Sequence, residues 1–184
     1  MTDNFRTLAL SSTLLALCIA PTLAQDDATK PAPVFAKASA DIGIVVKNLD
    51  TSAKFYTEVL GLTEVKGFSV PAEKATAIGL TDNQPATIRV FVLNPDAPEP
   101  NSKFKLMSFP DAPGTMQDQK FIHSTIGLSY LTLMVSDTNA ALARLKKAKV
   151  KPLGETPTDL GGGTFITVCQ DPDGNYIELI GPKK

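Results

Sequence analysis

Asp41-Ile42-Gly43-Ile44-Val45-Val46-Lys47-Asn48-Leu49-Asp50-Thr51-Ser52-Ala53-Lys54-Phe55-Tyr56 holds a strand, a helix cap and the opening of a helix. Ile42–Val46 is a short run rich in β-branched residues. Asp50 or Thr51 is placed to cap a helix start. From Ser52 to Leu60 the apolar Phe55, Tyr56, Val59 and Leu60 fall on one helical face, and Gly61 stands where a C-terminal glycine belongs. The same order returns later. Leu131–Val135 reads as a strand, Ser136-Asp137 as a cap, and Ala140–Ala148 as a helix with Ala141, Leu142, Leu145 and Ala148 on one face. Asp41 maps onto Tyr130, Val46 onto Val135 and Tyr56 onto Leu145 at one constant spacing. A spacing that holds across a strand, a turn and a helix marks a duplicated unit.

Further strands are expected after each helix. In the first half they are Leu62–Val65, Thr87–Leu93 and Phe104–Phe109; in the second, Val150–Leu153, Gly163–Val168 and Tyr176–Ile180. The last two are joined by Asp171-Pro172-Asp173-Gly174-Asn175, a turn with Pro and Gly at favoured positions. Each half therefore reads strand–helix–strand–strand–strand. Gly67–Ala86 is weakly patterned and reads as an excursion or lid, and Asn94–Pro100 as a Pro-rich loop.

The whole chain sets outer bounds. Its 184 residues are 43% apolar, enough for one real core. A formal net charge of -1 leaves no surplus of cations for nucleic acid. Cys18 and Cys169 are the two cysteines, so no disulfide framework exists, and His123 is the single histidine. Sites needing two or three histidines from one chain are excluded, which removes most catalytic zinc sites. Arg6, the apolar run Leu8–Ala20, Pro21 and the small-flanked Thr22-Leu23-Ala24 form a signal-peptide pattern, expected to be cleaved after Ala24. The expected layout is a leader at 1–24, a polar lead-in at 25–37, module one at 38–111, a linker at 112–126 and module two at 127–182. The product would be exported, to the periplasm or beyond, with no membrane-spanning segment once the leader is removed.

The opening stretch at 41–56, continued by Val59-Leu60-Gly61-Leu62, together with the closing Asp171-Pro172-Asp173-Gly174-Asn175-Tyr176-Ile177-Glu178-Leu179, resembles the vicinal oxygen chelate superfamily. That superfamily includes glyoxalase I, extradiol dioxygenases and the fosfomycin- and bleomycin-resistance proteins. The resemblance covers about residues 38–182. It implies an α+β fold of two paired βαβββ modules whose mixed sheet curls around a cleft.

It also implies four metal-ligand positions, on the first and last strand of each module. In this chain they fall on Asp41, Tyr130, Glu178 and either Lys105 or Met107. Two are carboxylates. A tyrosine ligates poorly unless ionised, and a lysine repels a cation unless neutral. The cofactor stays unassigned, with a metal-free cleft ranked ahead of a divalent ion held by Asp41 and Glu178.

Individual residues sharpen this. Tyr176, Glu178 and Ile180 share one strand face and Ile177 and Leu179 the other, so Glu178 points to the cleft and is the single catalytic candidate. Lys105 either sits between Asp41 and Glu178 in place of a metal or is a solvated edge lysine. Lys105, Tyr130 and Arg89, which shares a face with Thr87 and Phe91, are candidate ligand-binding residues. Arg89 reads equally well as a surface cation. His123 is read as a linker histidine and Cys169 as a buried small hydrophobe.

Three functions stand. The first is an exported protein that binds a small molecule in the inter-module cleft with an incomplete metal site. The second is a metal-dependent lyase or dioxygenase acting on a substrate with adjacent oxygens. The third is a non-catalytic oligomerisation module. One chain carries both modules, so a monomer suffices and a homodimer is compatible.

Overall fold

The computed structural model describes residues 34–97 and 101–184, so the leader reading at 1–24 lies outside the described residues. In chain order these hold β1 (Ile42–Val45), α1 (Leu49–Lys54), a π-helical turn at Phe55–Val59, β2 (Thr63–Val70), α2 (Ala72–Ala77), β3 (Ala86–Val92), β4 (Lys103–Met107), β5 (Tyr130–Met134), α3 (Thr138–Lys147), β6 (Leu153–Gly161), β7 (Thr164–Gln170) and β8 (Tyr176–Pro182). The strands form two four-stranded sheets with matching orders, β1-β4-β3-β2 and β5-β8-β7-β6. In each, the first strand runs parallel to the last and the other pairs are antiparallel. Each repeat is thus one βαβββ module. Among the described residues each first strand lies at the edge of its sheet, and the two sheets are not joined through it.

Local chemistry moves several boundaries. The first helix is capped by Asn48, whose Oδ1 accepts from the Thr51 N–H at 2.9 Å, and not by Asp50 or Thr51. It then widens into the π-helical turn, where Leu60 N–H reaches back to Phe55 O. β2 runs on to Val70, and the expected excursion contains α2. Val150–Pro152 is not strand. Lys149 takes φ 57, and the Val150 N–H closes on Leu145 O, so these residues terminate α3. β6 starts at Leu153 instead.

The duplication extends to an irregularity. β2 shifts register between Val65 and Phe68, and β6 shifts between Leu153 and Thr158. Each bulge bends its strand against the next. In β2 the bulge needs Gly67, since a Cβ there would stand 2.2 Å from the Ile88 carbonyl oxygen.

One apolar layer serves both modules. Tyr56, Phe91, Leu106, Leu145, Cys169 and Ile177 are fully buried in it. Each large apolar side chain so buried contributes about 2 kcal/mol. The Asp171–Asn175 turn fastens module two to module one. Asp173 accepts from the Lys47 N–H and the Ser52 hydroxyl, both at 2.9 Å. Buried Asp171 accepts from the Tyr56 hydroxyl at 3.1 Å and from Asn175 Nδ2 and the Asp173 and Asn175 N–H groups at 2.9 Å. Burial raises the Asp171 carboxyl above the usual range, against the pull of these donors. No helix among the described residues is long and apolar enough to cross a membrane.

Candidate functional site

In module one, strand alternation puts Asp41, Gly43 and Val45 on the sheet face away from the shared core. Gly43 pairs with Lys105 and Val45 with Met107, so these residues share that face. Lys105 Nζ lies 2.7 Å from Asp41 Oδ2 and 5.9 Å from the centre of the Phe68 ring. The direct hydrogen bond from that ammonium holds the Asp41 carboxyl below its usual range. Deeper on the face, Ala86, Ile88 and Val90 are buried in an apolar cluster with Val65, Val70 and Met107. Lys105 thus joins Asp41, and Glu178 has a different partner.

In module two the equivalent face stays open. Thr132 pairs with Glu178, and its hydroxyl donates to Glu178 Oε2 at 2.6 Å. Tyr130 pairs with Tyr176. On the opposite face Ile177 and Leu179 enter the core. Tyr130, Tyr176, Glu178, Glu155, Ile166 and Val168 line a cavity of about 340 Å³, with Ile122 of the linker also on its wall. The linker is anchored there. The Tyr176 hydroxyl donates to the Lys120 carbonyl at 2.8 Å, and Gln170 Nε2 donates to the Gln119 carbonyl at 2.8 Å. A second cavity of about 1000 Å³ runs along the seam between β1 and Leu128–Leu131, and Tyr130 and Tyr176 line it too. The two cavities therefore share a wall.

Other candidates fall elsewhere. Arg89 pairs with Leu106 across the sheet, on the face opposite Lys105. Its guanidinium donates to both Glu64 oxygens at 2.6 and 2.7 Å and to Asp50 at 2.9 Å. Its donors are thus engaged by carboxylates on the face opposite Lys105, the setting of the surface-cation alternative. His123 is exposed and stacks on Phe121, ring centres 5.5 Å apart. The Cys169 thiol is buried, its pKa pushed up to about 12 by burial, which leaves no thiolate at neutral pH. Gly161, Gly162 and Gly163 all take positive φ at the β6–β7 turn.

Some of the site was missed from sequence. Glu155 lies in a stretch for which the sequence suggests no element, and the half-exposed Phe68 carries no sequence signal that sets it beside Lys105. Thr132, two residues beyond Tyr130, was open to discovery by the alternation rule.

The family model of the Glyoxalase/Bleomycin resistance protein/Dioxygenase superfamily matches residues 39–179. The chain belongs to this superfamily. No curated protein matches. Among solved structures, a glyoxalase family protein from Bacillus cereus superposes with TM-score 0.67 at 20% identity, covering 85% of this chain and 99% of its own. The trypanothione-dependent glyoxalase I of Leishmania major gives 0.51 at 24% identity, covering 77% and 84%. A glyoxalase/bleomycin resistance protein from Streptomyces sp. CB03234 gives 0.50 at 21%, covering 77% and 98%. At these identities the likeness shows the glyoxalase-type fold alone.

The superfamily's metal positions carry Asp41 and Lys105 or Met107 in module one and Tyr130 and Glu178 in module two. In module one an ammonium and a carboxylate satisfy each other, leaving no net negative charge for a cation. In module two the positions hold a phenol and a carboxylate that already accepts a hydroxyl. Among the described residues no group of three or more His, Cys, Asp or Glu stands together. A divalent ion needs more anionic or imidazole donors than this, so the residues do not fit the superfamily's four-ligand centre.

Proposed function

We propose that this protein binds a small molecule in the module-two cup, beside the seam between its modules, without a four-ligand metal centre. The observation that carries the reading is the module-two cup. About 340 Å³ of space is walled by apolar strand residues and by Tyr130 and Glu178, and it adjoins the seam cavity. That is the volume and make-up of a small-ligand site. The Streptomyces relative named as a bleomycin resistance protein has the same fold and lends the reading support. The residues at 1–24 support export of the mature chain, and N-terminal sequencing of the protein recovered outside the cytoplasm would then begin at Gln25.

The test is metal loading beside cavity filling. The full chain is incubated with Mn, Fe(II), Ni or Zn, desalted and analysed for metal, with Glu178→Gln in parallel. The expected result is no stoichiometric metal on either protein. About one metal per chain, lost in the variant, would overturn the metal-free reading and favour a metal-dependent enzyme. Ile166→Trp, which fills the cup, should abolish a thermal shift produced by small molecules that stabilise the unaltered chain. A shift that survives the filling places the ligand elsewhere.

A further inference from the structure

Resting on the small-molecule reading above, we propose that the module-two cup takes an organic cation: a protonated or quaternary amine on an apolar body. The two modules supply the comparison. Module one contains, within its own chain, an ammonium set between a carboxylate and an aromatic ring, because Lys105 Nζ lies 2.7 Å from Asp41 and 5.9 Å from the centre of Phe68. By the duplication, Glu178 occupies the place of Lys105 and Tyr130 the place of Asp41. Module two therefore presents carboxylate and ring but no ammonium.

The rest of the cup agrees. Glu155 and Glu178 both line it, and the ion pairs among the described residues reach neither. Tyr130 and Tyr176 add two aromatic side chains to the lining, of the type that attracts cations. Tyr176 has its hydroxyl tied to the linker carbonyls, which fixes its ring in place. Leu153, Ile166 and Val168 provide apolar wall for the body of the ligand. An anion would meet two carboxylates and no lysine or arginine on this wall. A bare metal ion would find only two carboxylates, with no imidazole or thiolate beside them. An organic cation satisfies the charge, the rings and the apolar wall together.

Three probes with one apolar body separate the possibilities: 4-phenylbutylamine, 4-phenylbutan-1-ol and 4-phenylbutyrate. The full chain has no tryptophan and three tyrosines, two of which line the cup, so intrinsic fluorescence reports on the site alongside calorimetry. The amine should bind about ten-fold tighter than the alcohol, and the carboxylate weakest of the three. Glu178→Gln should weaken the amine about ten-fold and leave the alcohol unchanged, and Glu155→Gln should weaken the amine about three-fold. Added salt should weaken the amine and not the alcohol. Should Glu178→Gln fail to fold, Glu155→Gln carries the test, since its side chain is at the exposed rim.

Equal affinity for amine and alcohol, or an amine affinity unmoved by either variant, overturns the cation inference and leaves the cup as a small-molecule site. Amine binding that survives Ile166→Trp also overturns it, because the amine then sits elsewhere. No binding of any probe in the millimolar range overturns the inference and the small-molecule reading of the cup together.

Discussion

The two modules share one topology, one strand order and one bulged strand, yet their outer faces are built to different ends. Module one pairs Asp41 with Lys105 over a buried apolar cluster. Module two leaves Glu178 and Tyr130 beside open space. The difference lies in a few side chains at equivalent positions and not in the backbone. A duplicated fold can therefore keep a shared core while one outer face closes on itself and the other stays open.

That comparison rests on the shared core, and breaking the core has the largest expected effect. Asp171→Ala removes the acceptor for Tyr56, Asn175 and two backbone N–H groups. Leaving these donors buried should cost about 3 kcal/mol, and both modules should unfold in one transition at lower urea. Two separate transitions would show that the modules are not one cooperative unit.

The bulges come next. Gly67→Ala forces a Cβ against the Ile88 carbonyl oxygen and should cost about 2 kcal/mol. Gly154→Ala in β6 meets nothing within 4 Å and suffers only from its φ of 59, so about 1 kcal/mol is expected. Equal losses by denaturant titration would mean that β2 is no more tightly held than β6.

A smaller effect tests the module-one pair. Lys105→Met should cost about 0.5–1 kcal/mol at pH 7, since both partners are partly exposed. The sign with pH follows from Asp41, whose carboxyl is lowered in the fold from the ordinary 3.8. The pair's contribution is full above that ordinary value and is lost as pH falls through the lower folded value. The gap between wild type and Lys105→Met in urea titrations should therefore close below about pH 4. Asp171 works in the opposite sense, because its raised carboxyl favours the fold at low pH and loses that advantage as pH rises through its folded value.

The smallest effect belongs to the open face. Glu178→Gln keeps an oxygen for the Thr132 hydroxyl and should change stability by less than about 0.5 kcal/mol. A larger loss in thermal unfolding would mean that Glu178 is part of the scaffold and would blunt the contrast between the modules.

Much of the fold was legible from residue order. Short apolar strands, Gly61 after the first helix and the Asp171–Asn175 turn depend on local preferences that the chain carries with it. The repeat made the second half a check on the first. Legibility failed where backbone geometry overrides local pattern: the π-helical turn at Phe55–Val59, the bulges in β2 and β6, and the helix-ending Lys149 at positive φ.

The site divided along similar lines. Strand alternation sufficed to orient Glu178, Lys105 and Met107, because side chains two apart share a face. It could not tell which partners those side chains would find. Arg89 faces Glu64 and Asp50, Lys105 reaches Asp41 and Phe68, and Tyr176 is fastened to the linker only because distant segments are brought together. Periodicity is a property of neighbours along the chain, so the sequence by itself determined the modules and their faces. Charge compensation depends on distances between residues far apart in sequence, so only the tertiary structure decided which face was closed and which was left open.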